Sequence, residues 1–218
     1  SLCRGGFFTG YNPDGRALSP AEAIADTRVA IDQTRALGSD LLVLVCGGTG
    51  ELSPRDARDL VAEGIAAVAE YAAERGVRLG IEPLHPMFCA ERSVIATIAE
   101  ALRVAQPYPA ASVGLVIDAY HVWWDPELEA SVARAGERIM SLHVCDWALD
   151  TREIADARAM PGEGVIDLRD LRARVDAAGY TGPIEVEVLN RRLWDRDVDE
   201  VVDLTRRRFD ESVAEVPR

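Results

Sequence analysis

Four stretches of this chain end an apolar run on a group that can bind a metal or move a proton. "RLGIEPLHP" sets Glu82 directly after Ile81, with His85 three residues on. "GLVIDAYH" ends on Asp118, with His121 three residues further. "IMSLHVCDW" carries His143 and then Asp146, and "PIEVEVLN" carries Glu185 and Glu187. A single polar group in a buried strand is commonly satisfied by a local hydrogen bond. Four strands ending alike call for a shared cause, because burying charge is costly unless it is paired or bound to a metal. If one fold gathers these ends, the carboxylates repel, and a divalent cation removes the conflict. Two Glu, one Asp and one His form a mostly oxygen donor set. That set suits Mn²⁺ or Mg²⁺, admits Co²⁺, Fe²⁺ or Zn²⁺, and does not suit a structural zinc.

The elements that must position these groups alternate in type. Strand-like runs are read at 1–8, 40–48, 77–84, 112–118, 138–146 and 182–190, with a short seventh near "AMPGEGVI" (159–166). Helical patterns are read at 19–38, 53–76, 93–106, about 125–135, 168–179 and about 197–213. The first helix opens with Ser19 as N-cap, Pro20 and a capping-box Glu22, and closes on Gly38. The second repeats the Ser-Pro start and the Gly stop. Nearly continuous apolar strands alternating with helices belong to a parallel sheet covered by helices. A doubly wound dinucleotide fold would want G-x-G-x-x-G after its first strand. "GGTGEL" (47–52) supplies only part of it and reads as a strand-to-helix loop. The expectation is therefore a (β/α)₈ barrel, a single domain over 1–218, whose catalytic groups lie at the C-terminal ends of several strands. Glu185 and Glu187 share a strand face, and Glu187 lies nearer the mouth.

Composition narrows the partners. Lys and Arg number 24 against 37 Asp and Glu, a net charge of −13, which repels phosphate backbones and anionic lipid. Neither nucleic acid nor a membrane is expected as partner, and no apolar run of about 18 residues suggests a span. No signal peptide is visible at "SLCRGGFF". Cys3, Cys46, Cys89 and Cys145 are widely spaced, without a CxxC pair, and read as free thiols in a reducing, cytoplasmic setting.

Five motifs in order, "GIEPLHPMFCAERSV", "VIDAYHVWWDPEL", "SLHVCDW", "PGEGVIDL" and "GYTGPIEVEVLN", resemble the sugar phosphate isomerase/epimerase family. This is the xylose-isomerase-like TIM barrel group that includes ketose 3-epimerases and inosose dehydratases. The resemblance covers nearly the whole chain. It implies metal ligation by Glu82, Asp118, His143 and Glu187, and contact of His121 with a substrate hydroxyl or carbonyl. It also implies a substrate-binding role for Arg152, although the loop spacing differs from that of the epimerases. Family members usually begin with a further strand and helix before the counterpart of "SLCRGGFF". The barrel is therefore expected to lack its first βα unit, leaving a sheet edge that needs cover, for which a second copy of the chain could serve.

The implied chemistry is proton transfer on a ketose or sugar phosphate. One divalent ion binds two adjacent oxygens, and Glu82 and Glu187 move the proton through a metal-stabilised enediolate. Return of the proton gives an epimer or isomer, whereas loss of a β-hydroxyl gives dehydration, as in an inosose-dehydratase-like lyase on a keto-polyol. A non-catalytic sugar-binding barrel is a third reading. An endonuclease-IV-like phosphodiesterase fits poorly, because it wants a histidine-rich three-metal cluster and this chain has three His. Trp123 and Trp124 either wall the apolar face of a sugar or pack a loop junction, and Trp147 and Trp194 carry the same two readings. His85 touches substrate or supports a ligand. Asp146 orients a ligand or a substrate hydroxyl. "PGEG" (161–164) is a turn whose Glu163 could reach the site.

Overall fold

The computed structural model describes residues 1–10, 17–149 and 157–214. Six strands form one curled parallel sheet: β1 (Leu2–Cys3), β2 (Leu41–Leu44), β3 (Arg78–Ile81), β4 (Val113–Asp118), β5 (Ile139–Val144) and β8 (Ile184–Val186). They pair in the order β1-β2-β3-β4-β5-β8, so the strands of the sheet lie side by side in chain order, each joined to the next by a crossover. Helices α1 (Pro20–Ala36), α2 (Pro54–Glu74), α3 (Ile98–Ala105), α5 (Leu128–Ala135), α6 (Leu168–Ala177) and, after the last strand, the short α7 (Arg191–Trp194) and α8 (Val198–Ser212) follow the strands. Among the described residues this is a curled parallel sheet of six strands, with the helices that follow them packed on its outer face.

The sequence signals for helix ends work as expected. Ser19 accepts from the Glu22 amide while the Glu22 carboxylate accepts from the Ser19 amide. Ser53 caps α2 by accepting from the Asp56 amide. The third helix starts five residues later than the pattern at 93–106 suggested. Thr97 and Glu100 form a second capping box there, while Ser93 turns back to accept from the Ile95 amide. The fifth begins at Leu128, after a single short turn, α4 (Ala119–Val122), that follows β4 directly.

The expected seventh strand near 159–166 is not part of the sheet. β6 (Asp146–Trp147) and β7 (Arg158–Ala159) instead form a small antiparallel pair above it. The reason is a tertiary contact: Ile166 and Gly162 donate their amides to the Asp146 carboxylate, which folds "PGEG" into a turn. Of the opening run 1–8, only Leu2–Cys3 pairs as strand. Four cysteines are free thiols. No helix among the described residues is long and apolar enough to cross a membrane.

Strand parity separates an outer core from an inner column. Leu42, Leu44, Leu79, Ile81, Leu115, Ile117, Leu142 and Val144 pack outward against the helices. Leu41, Val43, Val116 and Met140 cluster separately inside the sheet and floor the site. Gly80 belongs to this floor, where a Cβ would come within 2.8 Å of Val116. Between β4 and β5 the register slips by one: Leu115 faces Ile139, but Val116 faces Ser141. This bulge uses one extra residue of β5, near Met140. It brings Ser141 and His143 onto the inner face and sets His143 directly beside Asp118.

Phe8, nearly fully buried, lies against Gly64 in the middle of α2. Replacing a helical Gly by Ala ordinarily adds up to about 1 kcal/mol. At Gly64 the new methyl would overlap the Phe8 ring, and overpacking costs about 1–3 kcal/mol. Gly64→Ala should therefore lower the stability read by chemical denaturation, against the intrinsic preference. An equal or higher midpoint would show that Phe8 can move aside.

Candidate metal centre and mouth

Each proposed ligand is presented by a strand end. Glu82 follows β3, its amide donating to Leu44 O at 3.2 Å. Asp118 closes β4 and caps α4: its Oδ1 accepts from the Tyr120 amide at 2.9 Å, which turns Oδ2 into the barrel mouth. His143 stands on β5, and Glu187 follows β8 with its amide donating to Val144 O at 3.1 Å. One ligand atom from each of Glu82, Asp118, His143 and Glu187 lies within 4.8 Å of every other. Both ring nitrogens of His143 are buried and make no hydrogen bond, and Asp118 Oδ2, also without one, is met by an ion pair from Arg158 at 2.8 Å. Buried ring nitrogens without a hydrogen bond are uncommon, and Nδ1 here faces the oxygens of Glu82 and Glu187. The residues fit a divalent ion of the oxygen-preferring kind.

The electrostatics agree. Burial works to raise the Asp118 carboxyl, but the charges of Arg158 and His143 prevail and hold it low. Burial pushes the Glu82 carboxyl up, and the His143 contact only partly offsets this. Burial would lower His143, yet Glu187 and Glu82, at 3.4 and 3.6 Å from Nδ1, hold the imidazolium and push it up to about 10.

The sequence reading missed one central residue. Arg158 is buried, with Nη1 at 2.8 Å from Asp118 Oδ2 and 3.3 Å from Glu187 Oε2, and Nη2 at 3.1 Å from His121 Nε2. Its guanidinium lies over the Tyr120 ring, 4.7 Å from the centroid, and Trp147 stacks on Tyr120 at 4.7 Å and 19°. Asn190 donates to the Arg158 carbonyl at 2.8 Å and holds the hairpin down. A lone basic residue in "ADARAMPGEG" was its only trace in the sequence. Arg152 lies outside the described residues.

The other candidates divide. His121 lies in the site, its Nδ1 accepting from the His85 amide at 3.2 Å, and burial pushes it down to about 3, so the ring is neutral. The His85 ring packs on Trp147 and Trp124 at 5.0 and 5.7 Å. Trp123 also meets Trp147, at 5.6 Å, while Trp124 Nε1 donates to His121 O at 2.8 Å. These rings line one side of the mouth. Asp146 is buried, but its carboxylate accepts from the Trp147, Gly162 and Ile166 amides, so it shapes the hairpin and turn. Glu163 points away and pairs with Arg208 at 2.7 Å. Trp194 is 62% exposed on the far side of β8.

The curled parallel sheet thus gathers a carboxylate–histidine cluster at its C-terminal strand ends. The xylose isomerase-like TIM barrel family model matches residues 2–208, and the chain belongs to that family. It is 31% identical over 181 residues to 3-dehydroshikimate dehydratase of Pseudomonas aeruginosa, covering 81% of this chain and 26% of the relative. It is 25% identical over 171 residues to fructoselysine 3-epimerase of Shigella flexneri, covering 77% and 59%. The chain thus spans about a quarter of the dehydratase and under two thirds of the epimerase. Among solved structures, protein SMc04130 of Sinorhizobium meliloti superposes with a TM-score of 0.90 at 43% identity, over 98% of this chain and 78% of that one. A D-psicose 3-epimerase solved in the presence of D-fructose shares the fold, with a TM-score of 0.74 at 16% identity, over 98% and 78%.

An ion that takes Nδ1 of His143 must displace its proton, since metal binds neutral imidazole. The folded value of about 10 lies above the ordinary 6.5. His143 therefore stabilises the metal-free protein fully below about pH 6.5, and this is lost as pH rises toward 10. Metal affinity should run the opposite way, rising over the same window. Calorimetry at pH 7.5 in buffers of different ionisation enthalpy should count about one proton released per Mn²⁺. Release of none would mean that the ion displaces no proton from His143.

Proposed function

We propose that the protein is a divalent-metal-dependent isomerase or epimerase acting by proton transfer beside the carbonyl of a keto-sugar or related keto-polyol. The observation that carries this reading is the convergence of Glu82, Asp118, His143 and Glu187 within 4.8 Å, with Arg158 against two of them. An Mn²⁺ or Mg²⁺ ion on these four residues would polarise the substrate carbonyl and acidify the neighbouring C–H. Glu82, whose carboxyl burial already pushes up, is suited to take and return that proton. Glu187 arrives from β8, at the opposite end of the strand order from β2 and β3, and offers the second face. Arg158 leaves its contacts with Asp118 and Glu187 to donate to the oxygen on which charge gathers. Neutral His121 donates to or accepts from a substrate hydroxyl. The rings of His85, Trp123 and Trp147 exclude water and meet the apolar face of the substrate.

A second reading, dehydration, shares every step up to proton removal and then expels a β-hydroxyl. The 31% identity to a dehydratase favours giving it equal treatment in assays. The acidic chain and its three His speak against a phosphodiesterase reading.

Glu82→Gln and Glu187→Gln each keep an oxygen ligand and remove a base. Each should lower turnover by about 10²–10⁴-fold while Mn²⁺ binding survives, whereas Asp118→Asn should act mainly through binding. The assay incubates the Mn²⁺-loaded protein in D₂O with a panel of ketoses and with 3-dehydroshikimate, followed by NMR. Deuterium in an epimerised ketose supports the first reading, and loss of water supports the second. An isomerised ketose without solvent deuterium indicates a hydride shift and sinks proton transfer. An ion-loaded protein inert to the whole panel favours a binding role.

A further inference from the structure

Glu185 is the acidic residue in the mouth that the chemistry above does not use. The register of β5 and β8 pairs it directly with His143. Its side chain and that of Glu187 share the inner face, one layer apart. His143 is held between the two layers. Its Nδ1 faces Glu187 Oε2 at 3.4 Å and Glu82 Oε1 at 3.6 Å, while its Nε2 faces Glu185 Oε2 at 3.8 Å. Nε2 is buried without a hydrogen bond, and among the described residues Glu185 is the carboxylate paired with it. The other Glu185 contacts are with hydroxyls and the terminal amine. Ser141 Oγ donates to Oε1 at 3.5 Å, Ser1 Oγ donates to Oε1 and Oε2 at 3.0 and 3.2 Å, and the Ser1 amine lies at 3.8 Å.

We infer that Glu185 is a positioning residue: it accepts Nε2–H of His143 and thereby fixes the ring so that Nδ1 faces the ion. This rests on the metal-centre reading. Histidine ligands to metals ordinarily donate their second N–H to a carboxylate or carbonyl, which sets both tautomer and ring angle. The neighbouring-strand pairing supplies such an acceptor without any loop. A modest rotation of the half-exposed Glu185 carboxylate closes 3.8 Å to bonding distance, because Ser141 anchors the other oxygen.

The test uses ¹⁵N-labelled protein, metal-free and Zn²⁺-loaded, with Glu185→Ala and Glu185→Gln as variants. His143→Ala assigns the ring signals. A slowly exchanging Nε2–H signal of His143 is expected in the wild type, retained in Glu185→Gln, whose amide oxygen still accepts, and shifted or lost in Glu185→Ala. Zn²⁺ dissociation constants should rise about 10–100-fold in Glu185→Ala and stay within about threefold in Glu185→Gln, at unchanged melting temperature of the metal-free proteins. An Ala variant with wild-type affinity and an unaltered Nε2–H signal overturns the inference, as does a wild type whose Nε2, not Nδ1, takes the ion. A wild type that binds neither Zn²⁺ nor Mn²⁺ overturns the metal-centre reading instead, and the Nε2–H signal of the metal-free protein then decides alone whether Glu185 holds the ring.

Discussion

Like charge held at one point in a dry place is the constraint around which this molecule is organised. Glu82, Asp118 and Glu187 bring carboxylate oxygens within 4.8 Å of one another. At an effective dielectric of about 20, each such pair repels by roughly 3.5 kcal/mol, a sizeable share of the stability of an ordinary domain. Two cations answer them from within the chain. Arg158 reaches in from the hairpin to Asp118 and Glu187, and His143 keeps its proton between Glu82 and Glu187. Under the proposed reading, His143 would give up its proton to a metal ion and Arg158 would turn toward a substrate oxygen. The same repulsion that would strain an empty site thus defines what the site accepts.

The aromatic layer belongs to the same arrangement. Arg158 is desolvated, and the faces of Tyr120 and Trp147 beneath it supply an electron-rich platform that partly replaces water. Tyr120 lies two residues after Asp118 and Trp147 directly after Asp146, so the platform is built from the same strand ends as the ligands. Ligand geometry and guanidinium placement are therefore coupled through β4 and β5 and cannot be altered separately.

Much of this was legible in the sequence because it is written locally. Ser19 with Glu22 and Ser53 with Pro54 marked helix starts through contacts three residues apart, and the apolar runs ending on Glu82, Asp118, His143 and Glu187 marked the mouth. What escaped was set by tertiary contacts. The seventh strand expected at 159–166 gave way to an antiparallel hairpin, because Asp146 collects amides from residues 16 and 20 positions away. The same carboxylate looked like a site group, and it is spent on the turn. Arg158 was invisible for the same reason: only the hairpin swings it over β4. Thr97, a weak local signal beside Ser93, nonetheless took the cap of α3 because Glu100 stands three residues on.

The single extra residue in β5 carries an implication for how this scaffold can vary. Strand parity is binary, so Ser141 and His143 face inward only because the bulge folds one residue out of the alternation. Deleting Met140 would take out the surplus residue, and Ile139, Ser141, Leu142 and His143 would still pair with Leu115, Val116, Ile117 and Asp118, in plain alternation. Straightening the bulge with the residue kept would do the opposite: Leu142 would come to face Asp118 and the imidazole would turn into the helix layer. Substitutions around the mouth can retune the chemistry by degrees, but an added residue here is tolerated only where the backbone can fold it out of the alternation. Relatives that share the centre should therefore carry either the bulge or one residue fewer at this point of the strand.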